Sequence, residues 1–504
     1  MTNQSDPNEG KNLSLPGNPR YQPKELQDIF GYDNLYRPWA IIELAKFEVM
    51  NEIGMISNED YALLTPAIRQ LILNITTSET DLIERSITHH DVNAHVQIMR
   101  EIMPERLKVY LHMPFTSYDK ISTGYVMQYK EAFEKVIEPK IKELIFCLAQ
   151  LVDTYSDRRQ IGRTHGQYAL PITVGFWLAN ILSRVTYNYL KMKKNCDELR
   201  GKISGAVGAY NAQVALGFEK NSGRKSFEDR ILGKLNLKAA LVSTQILPPE
   251  QVAYFFHSAL MFSASLAQLG RDGRNLMRSD IAEISEAFEE GQVGSSTMAQ
   301  KRNPINFENT EGMFLRNKNE FGKIMDTLIS EHQRDLVNSS PMRDFPIILV
   351  NLMCQLNTLL RPGGKDKSPF IKRITINEDA VEENLTKSLN TIMAEPIYIS
   401  LQLAGYKGDA HHLVNHQLTP MSQSEGIPLI ACLEKLTKTD EELNTVYQNI
   451  PNDILEVLWS PKDYIGKAAK KSHEVANWAR LQIAEKVRAS QSHDLGLSQN
   501  GLSK

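Results

Sequence analysis

The densest group of reactive side chains in this chain lies in residues 291–312, which read GQVGSSTMAQKRNPINFENTEG. Two glycines precede Ser295 and permit backbone angles that other residues resist, so we expect a mobile loop before it. Pro304 is tolerated in the first turn of a helix and therefore predicts that a long helix begins there. The segment thus predicts three polar groups at one loop-to-helix junction: the hydroxyl of Ser295, the ammonium of Lys301 and the amide of Asn303.

This combination of groups suits the removal of a weakly acidic proton. A serine hydroxyl is a weak base unless its anion is stabilised, and Lys301 with the backbone N–H groups of the glycine loop can provide that stabilisation. The alternative is structural, because Gly/Ser loops before helices are common and a lone GSS is more often not catalytic.

Histidines supply the groups that could donate a proton. His165 lies in IGRTHGQYALPITVG, residues 161–175, and the pair His89 and His90 precedes Asp91 in SITHHDVNAHVQIMRE. An imidazole titrates near neutral pH, so it can carry a proton to a leaving group. Each of these histidines could equally be a structural residue, and the sequence pattern alone leaves both interpretations open.

Longer motifs narrow the possibilities. GSSTM followed by Lys301 and NP resembles the GSSxMPxKxNP segment of the fumarase/aspartase superfamily, whose members eliminate fumarate from a substituted succinate. RTHGQ around His165 resembles the adenylosuccinate lyase family, since fumarase and aspartase usually carry RTHLQ there. Further matches to this family extend from Arg20 to about Ala469: RY at 20–21, HDV at 90–92, TS at 116–117, GAVGAYNA at 205–212, TQI with Gln245, QRD with Arg334, SSPMR ending at Arg343, AEPI at 394–397 and YIGKA at 464–468.

The resemblance implies a role for each matching residue. Elimination needs a base and an acid on opposite sides of the substrate. By resemblance Ser295 is the base, His165 the acid that protonates the leaving nitrogen, and His90 a further catalytic residue that supports the substrate's charge and orientation. The remaining implied residues bind substrate, with Lys301 and Asn303 on a carboxylate and arginines on the phosphate: Arg20, Tyr21, His89, Asp91, Thr116, Ser117, Gln245, Lys301, Asn303, Asn309, Arg334, Ser339 and Arg343.

The implied reaction converts adenylosuccinate to AMP and fumarate, and acts likewise on succinylaminoimidazole carboxamide ribotide of purine biosynthesis. It needs neither a metal nor an organic cofactor. Departures from the family pattern occur at Ala299, Gln300, Tyr168 and Phe115. None of them removes a group that proton transfer needs, but they bear on loop motion and substrate preference.

Two other functions stay open. One is a different fumarate-releasing lyase such as argininosuccinate lyase, which RTHGQ together with Arg20 and Tyr21 disfavours. The other is a helix bundle that serves assembly without catalysis. A non-catalytic bundle has no need of Ser295, Lys301 and Asn303 together with His165, which disfavours this second alternative.

The elements that must position these groups are helices. Long helical patterns cover Ser122–Tyr155, Val174–Met192, Gln251–Phe288, Pro304–Ser330 and about Pro346–Leu360, whereas strand-like alternation is too rare for a parallel sheet. We therefore predict an all-α fold, and the resemblance implies a three-part, fumarase/aspartase-like subunit with a long central bundle. The predicted divisions are a disordered tail at 1–19, an N-terminal helical domain at 20–116, the central bundle at 117–362, a C-terminal helical domain at 363–489 and a disordered tail at 490–504, with a linker at 361–369.

Composition limits the partners. A chain of 504 residues is too long for one ordinary hydrophobic core. Its formal net charge of −3 does not favour nucleic acid as a partner. It shows no signal peptide and no run near the roughly 20 apolar residues of a membrane span. The four cysteines lie far apart, which favours reduced thiols. His412 and His416 would share a helix face with His411 nearby, but no glutamate follows as in HExxH and no cysteine is near, so a metal site is disfavoured. We expect a cytoplasmic protein, and the resemblance implies a homotetramer whose nucleotide sites are shared between subunits.

The basic stretch KAAKKSHEVANWARLQIAEKVR has two possible interpretations. It could be a helix that lies on a membrane surface, but a solvated helix face is the commoner explanation of such a charge run, and we favour it.

Overall fold

The computed structural model describes residues 21–287, 297–298 and 300–494, with side chains of the last helix described up to 484. The predicted disordered tail at 1–19 lies outside these residues. Helix α24 (Ala468–Asp494) extends five residues into the segment predicted to be the second disordered tail.

The chain divides into two compact units, each built from separated stretches of sequence. Unit 1 comprises Met1–Lys142, Tyr187–Ala267 and Thr310–Thr358, and unit 2 comprises Glu143–Thr186, Gln268–Asn309 and Leu359–Lys504. The boundaries of the three sequence domains stay a prediction.

Helices dominate both units, as predicted. The α-helices of the described residues are Gln27–Phe30 (α1), Arg37–Glu52 (α2), Asn58–Ala62 (α3), Pro66–Leu73 (α4), Thr77–Ile83 (α5), Asp91–Ile102 (α6), Ser117–Glu131 (α7), Glu138–Thr154 (α8), Val174–Asp197 (α9), Asn211–Ala215 (α10), Phe218–Asn221 (α11), Phe227–Lys234 (α12), Glu250–Leu276 (α13), Ile305–Asp326 (α14), Ser339–Met342 (α15), Pro346–Leu360 (α16), Glu378–Ser388 (α17), Ala394–Leu403 (α18), Ala410–Leu413 (α19), Thr419–Glu425 (α20), Leu429–Thr437 (α21), Glu441–Gln448 (α22), Asn452–Trp459 (α23) and α24.

The remaining regular elements are short. Strands lie at Arg159–Thr164 (β1), Gln167–Thr173 (β2), Arg200–Gly201 (β3), Lys238–Ala239 (β4), Ile284–Ser285 (β5), Pro362–Gly363 (β6), Ser368–Pro369 (β7) and Thr375–Ile376 (β8). They form four two-stranded sheets, β1–β2, β5–β8 and β6–β7 antiparallel and β3–β4 parallel. Short 3-10 helical turns occupy Lys24–Leu26, Tyr32–Asn34, Glu105–Tyr110, Phe370–Arg373 and Pro461–Asp463, and π-helical turns occupy Glu84–Thr88, Ala132–Ile137 and Val414–Leu418.

The structure confirms one predicted helix and corrects two others. The helix predicted at about Pro346–Leu360 is confirmed as α16. The long helix over Ser122–Tyr155 is interrupted by a π-helical turn at Ala132–Ile137, because Pro139 has no N–H for the helical ladder and its ring needs space in the preceding turn. The helix predicted to reach Phe288 ends at Leu276, since the chain beyond it forms β5.

Aromatic rings connect the long helices of unit 1. The ring of Tyr129 on α7 meets Phe256 on α13 edge-on, with centroids 4.9 Å apart, and Phe256 meets Phe345 at 5.8 Å. Each such pair contributes about 0.5–1.5 kcal/mol of stability beyond that from the apolar area that it buries. Polar contacts also cross this core, because the side-chain amide of Gln355 on α16 donates to the carbonyl of Thr310 on α14 at 2.7 Å.

Unit 2 has its own apolar core. Buried side chains of α17, α18 and the short helices that follow it form one cluster with Ile161 of β1: Leu385, Ile397, Leu401, Leu413, Leu418, Leu429 and Leu433. Ile161 therefore attaches the β1–β2 hairpin to the C-terminal helices. The predicted linker at 361–369 is the β6–β7 hairpin, which follows directly on the end of α16.

Helix α13 has the length and hydropathy of a membrane span, with a mean hydropathy of 1.3 over 18 residues. It is the only such helix among the described residues, and the sequence patterns had not indicated it. Because 61% of that window is buried in the protein, it has the character of a core helix.

Candidate active site

Two helix N-termini in unit 1 bring predicted site residues together. His90 is the N-cap residue of α6, and its ring accepts the backbone N–H of Asn93 at 3.5 Å. Asp91 begins the helix, where a carboxylate interacts favourably with the helix dipole. The Nε2 atom of His90 lies 3.5 Å from the hydroxyl of Ser117, the first residue of α7.

The start of α7 depends on a buried carboxylate. Asp119 is fully buried and accepts the backbone N–H of Thr116 at 2.8 Å. It also accepts the N–H groups of Ser204 at 3.1 Å and Gly205 at 3.2 Å, and it forms an ion pair with the buried ammonium of Lys202. One carboxylate therefore fixes both the Thr116 turn and the glycine-rich segment that begins at Gly205.

A stacked guanidinium lies beside these turns. The Arg334 guanidinium lies 3.5 Å from the centroid of the Tyr118 ring and donates to the side-chain oxygen of Gln245 at 2.8 Å. The second arginine, Arg343, places its NH2 group 3.7 Å from the carboxylate of Asp91. Its side chain is 59% exposed, which leaves it accessible to a ligand.

These groups face one cavity of about 720 Å³. Its size falls within the range of small-molecule sites. The predicted residues that line it are His89, His90, Asp91, Thr116, Ser117, Gln245, Arg334, Ser339 and Arg343. Six aromatic residues line it as well: Phe30, Tyr32, Tyr36, Trp39, Tyr118 and Tyr125. Cations beside aromatic rings suit an anionic ligand that carries a flat ring.

Unit 2 holds the other predicted groups. Lys301 and Asn303 line a cavity of about 1100 Å³, together with the last turns of α13. Lys301 is exposed and Asn303 half-buried, and Asn309 is half-buried on α14. Ser295 and Ala299, like Arg20, lie outside the described residues.

His165 lies at the tip of the β1–β2 hairpin. Thr164 pairs with Gln167, so His165 and Gly166 form the turn, with φ angles of +54° and +77°. Two such residues in succession are typical of the tight type I′ turn, whose twist matches that of the strands. The imidazole is exposed, which leaves it accessible to a ligand.

Comparisons with known proteins support the same family. The family model described as a lyase matches residues 50–316. An adenylosuccinate lyase of Pyrococcus abyssi is 31% identical over 464 residues, covering 91% of this chain and 96% of the relative. One of Archaeoglobus fulgidus is 29% identical, covering 91% and 97%. The chain belongs to the adenylosuccinate lyase family. It is therefore a carbon–nitrogen lyase.

Solved structures agree with this fold. The 3-carboxy-cis,cis-muconate lactonizing enzyme of Pseudomonas putida superposes with a TM-score of 0.74 at 20% identity, covering 92% of this chain and 99% of that one. A fumarate lyase of Mesorhizobium sp. BNC1 gives 0.73 at the same identity, covering 92% and 99%. These likenesses confirm the predicted fumarase/aspartase-like, all-α fold.

Tyr21, a residue of unit 1 implied by the adenylosuccinate lyase resemblance, does not line the cavity of that unit. The guanidinium of Arg316 lies 5.4 Å from the centroid of the Tyr21 ring. Within the described part of the chain, no group of three or more His, Cys, Asp or Glu side chains could hold a metal ion. The four cysteines are buried free thiols.

Four residues important to the geometry were missed by sequence reasoning. Tyr118 and Asp119 lie beside the predicted TS pair, and the Thr-x-x-Asp spacing of a helix cap was a signal for Asp119. Glu283 and Glu286 are buried acids that precede residues 291–312. Acidic residues near a glycine loop usually face solvent, so the sequence pattern did not single them out.

Proposed function

We propose that this chain eliminates fumarate from adenylosuccinate to give AMP, and likewise from succinylaminoimidazole carboxamide ribotide in purine biosynthesis. The observation that carries the proposal is the cavity of unit 1, where nine residues implied by the family resemblance converge. Its arginines suit a phosphate and its aromatic rings suit a base, so a nucleotide fits the lining chemically.

The proposed reaction transfers two protons and breaks two bonds, one C–H and one C–N, while one C=C bond forms. Ser295, as an alkoxide, removes the proton from the carbon beside a carboxylate, and the electron pair left behind forms the new C=C bond. The C–N bond breaks, and His165 protonates the departing nitrogen. Lys301 and Asn303 stabilise the negative charge that develops on the carboxylate, while His90 orients the substrate beside Ser117.

A homotetramer with shared sites is part of the proposal. It is supported by large apolar side chains that the long helices of unit 1 expose: Tyr254 and Met261 on α13, and Leu315 and Met325 on α14, are 61%, 43%, 51% and 51% exposed. A symmetric assembly would bury them. A cytoplasmic location fits a nucleotide-processing enzyme of this kind.

The test is release of AMP and fumarate when purified protein meets adenylosuccinate, measured by ultraviolet absorbance and by chromatography of the products. A Ser295→Ala variant should lose this activity while its folding is unchanged. Argininosuccinate is the comparison substrate. A folded assembly that turns over argininosuccinate and not adenylosuccinate would replace the proposal, and turnover of neither would favour a binding role.

A further inference from the structure

The first turn of α14 is held by a carboxylate from 20 residues upstream. Glu286 is 2% exposed. Its carboxylate accepts the backbone N–H of Asn306 at 3.0 Å, that of Phe307 at 2.9 Å, and the side-chain amide of Asn306 at 2.6 Å. The first N–H groups of a helix have no acceptor within the helix, and a negative charge there is favoured by the helix dipole.

This interaction fixes the turn that follows two predicted site residues. Lys301 and Asn303 lie within six residues of the Asn306 and Phe307 N–H groups that Glu286 accepts. The same turn is fixed from two other sides: the guanidinium of Arg361 donates to the Asn306 side-chain oxygen at 2.9 Å, and the Phe307 ring packs against the backbone of α13. The start of α14, which closely follows Lys301 and Asn303, is therefore held from three sides.

A second buried acid, Glu283, holds the hairpin that carries His165. Glu283 is fully buried and accepts the side-chain amide of Gln160 at 2.6 Å, and it forms an ion pair with Arg163. Both partners lie on β1, and Arg163 is two residues before His165. The side-chain amide of Asn384 on α17 donates to the same carboxylate at 3.0 Å.

The other strand of the hairpin is tied to the same network. The Tyr168 hydroxyl lies 3.3 Å from the side-chain oxygen of Asn384, and the Arg163 guanidinium lies 5.3 Å from the Tyr168 ring. Tyr168 is the residue that departs from the usual proline of the family. It gives this hairpin an attachment that a proline could not form.

The two acids are three residues apart on one fixed element. Between them lies β5, which pairs with β8, and the backbone N–H of Asn377 donates to the Glu283 carbonyl at 2.8 Å. We propose that Glu283 and Glu286 are positioning residues, and that this short strand holds the histidine hairpin and the start of α14, with the adjoining Lys301 and Asn303, in a common frame. The inference rests on the proposed function, because the hairpin carries its acid, and Lys301 and Asn303 stabilise the charge that develops.

Glu286→Gln is the main test. The amide keeps the shape but turns one acceptor into a donor that faces N–H groups, so the helix start and the adjoining Lys301 and Asn303 should shift. We expect kcat to fall about 10- to 100-fold with KM changed by less than about threefold, since displacement of reacting groups by about 1 Å has effects of this size. Glu283→Gln should act in the same way through the hairpin.

Two further variants separate positioning from stability. Glu378→Gln makes the same change in an exposed ion pair with Arg158 in unit 2 and should leave kcat within about twofold of the parent. Glu286→Gln combined with Asn306→Asp reverses the side-chain pair, and it should recover at least about fivefold of the lost kcat. A kcat unchanged in Glu286→Gln, or a loss that tracks Tm and is not recovered, would overturn the inference.

Amide hydrogen exchange tests the inference without turnover. In Glu286→Gln, exchange should accelerate over residues 300–310, and in Glu283→Gln over 160–170, while Glu378→Gln changes neither. Absence of both accelerations would overturn the positioning role even in an active enzyme. If the parent releases no fumarate from adenylosuccinate yet exchange responds as expected, the proposed function fails and the shared frame stands.

Discussion

Replacement of Asp119 by asparagine should destabilise the cavity of unit 1. Asp119 and Lys202 are both fully buried. Asparagine has nearly the same volume, so packing is preserved while the charge is lost. The Lys202 ammonium then loses its paired carboxylate and keeps neutral acceptors, the asparagine side-chain oxygen and the Gly205 carbonyl at 3.4 Å. Removing one partner of a buried ion pair costs about 3–5 kcal/mol, because the other charge stays buried without compensation.

The assay for Asp119→Asn is the urea midpoint at fixed protein concentration, beside KM for adenylosuccinate. We expect a lower midpoint and a KM raised about 5- to 10-fold, because the N–H of Thr116 loses a charged acceptor worth about 1.5–3 kcal/mol. The double variant with Lys202→Met removes the unpaired charge and should recover about 2 kcal/mol or more of the loss. A loss below about 1 kcal/mol, or a double variant no more stable than Asp119→Asn, would refute the reasoning.

Three further predictions follow from single contacts. Burial lowers the pKa of His95 to about 3, while in the unfolded chain it is near 6.5; the unfolded state therefore binds more protons below pH 6.5, and the unfolding free energy should fall by about 2 kcal/mol from pH 7 to pH 5. Urea unfolding at both pH values measures this, and His95→Leu should reduce the difference. Tyr118→Leu should raise KM about 5- to 30-fold through loss of the stacking under Arg334, whereas Tyr118→Phe should not; equal effects would contradict the role of the ring. Gly273→Ala places a methyl group 2.7 Å from the Phe307 ring and should cost about 1–3 kcal/mol, seen as a lower Tm, while Gly312→Ala, with open space around it, should leave Tm unchanged or raise it.

Helices and their local signals were predictable. The 3.6-residue period identified α16 to the residue, and Pro304 correctly predicted that α14 begins beside it. Both signals are local, since they depend on neighbours within one or two turns. The residue types around Ser295 and His165 likewise indicated an elimination reaction through a family resemblance.

The hairpin that carries His165 was not predictable from the same patterns. Residues 161–175 have no clear alternation of apolar and polar side chains, and their pairing depends on contacts with Glu283 and α17 more than 100 residues away. The end of α13 at Leu276 was missed for the same reason, because the apolar residues beyond it pair with β8. Contacts between distant segments override local propensity.

The sequence by itself determined the class of fold, the family and the chemical types of the groups that the reaction needs, because these follow from periodicity and from motifs along the chain. Only the tertiary structure decided which acids are buried. Asp and Glu are residue types that usually lie at the surface, but Asp119, Glu283 and Glu286 are each held in the interior by N–H donors from other parts of the chain. A buried carboxylate is stable only where such donors converge, and that convergence exists only after the chain has folded.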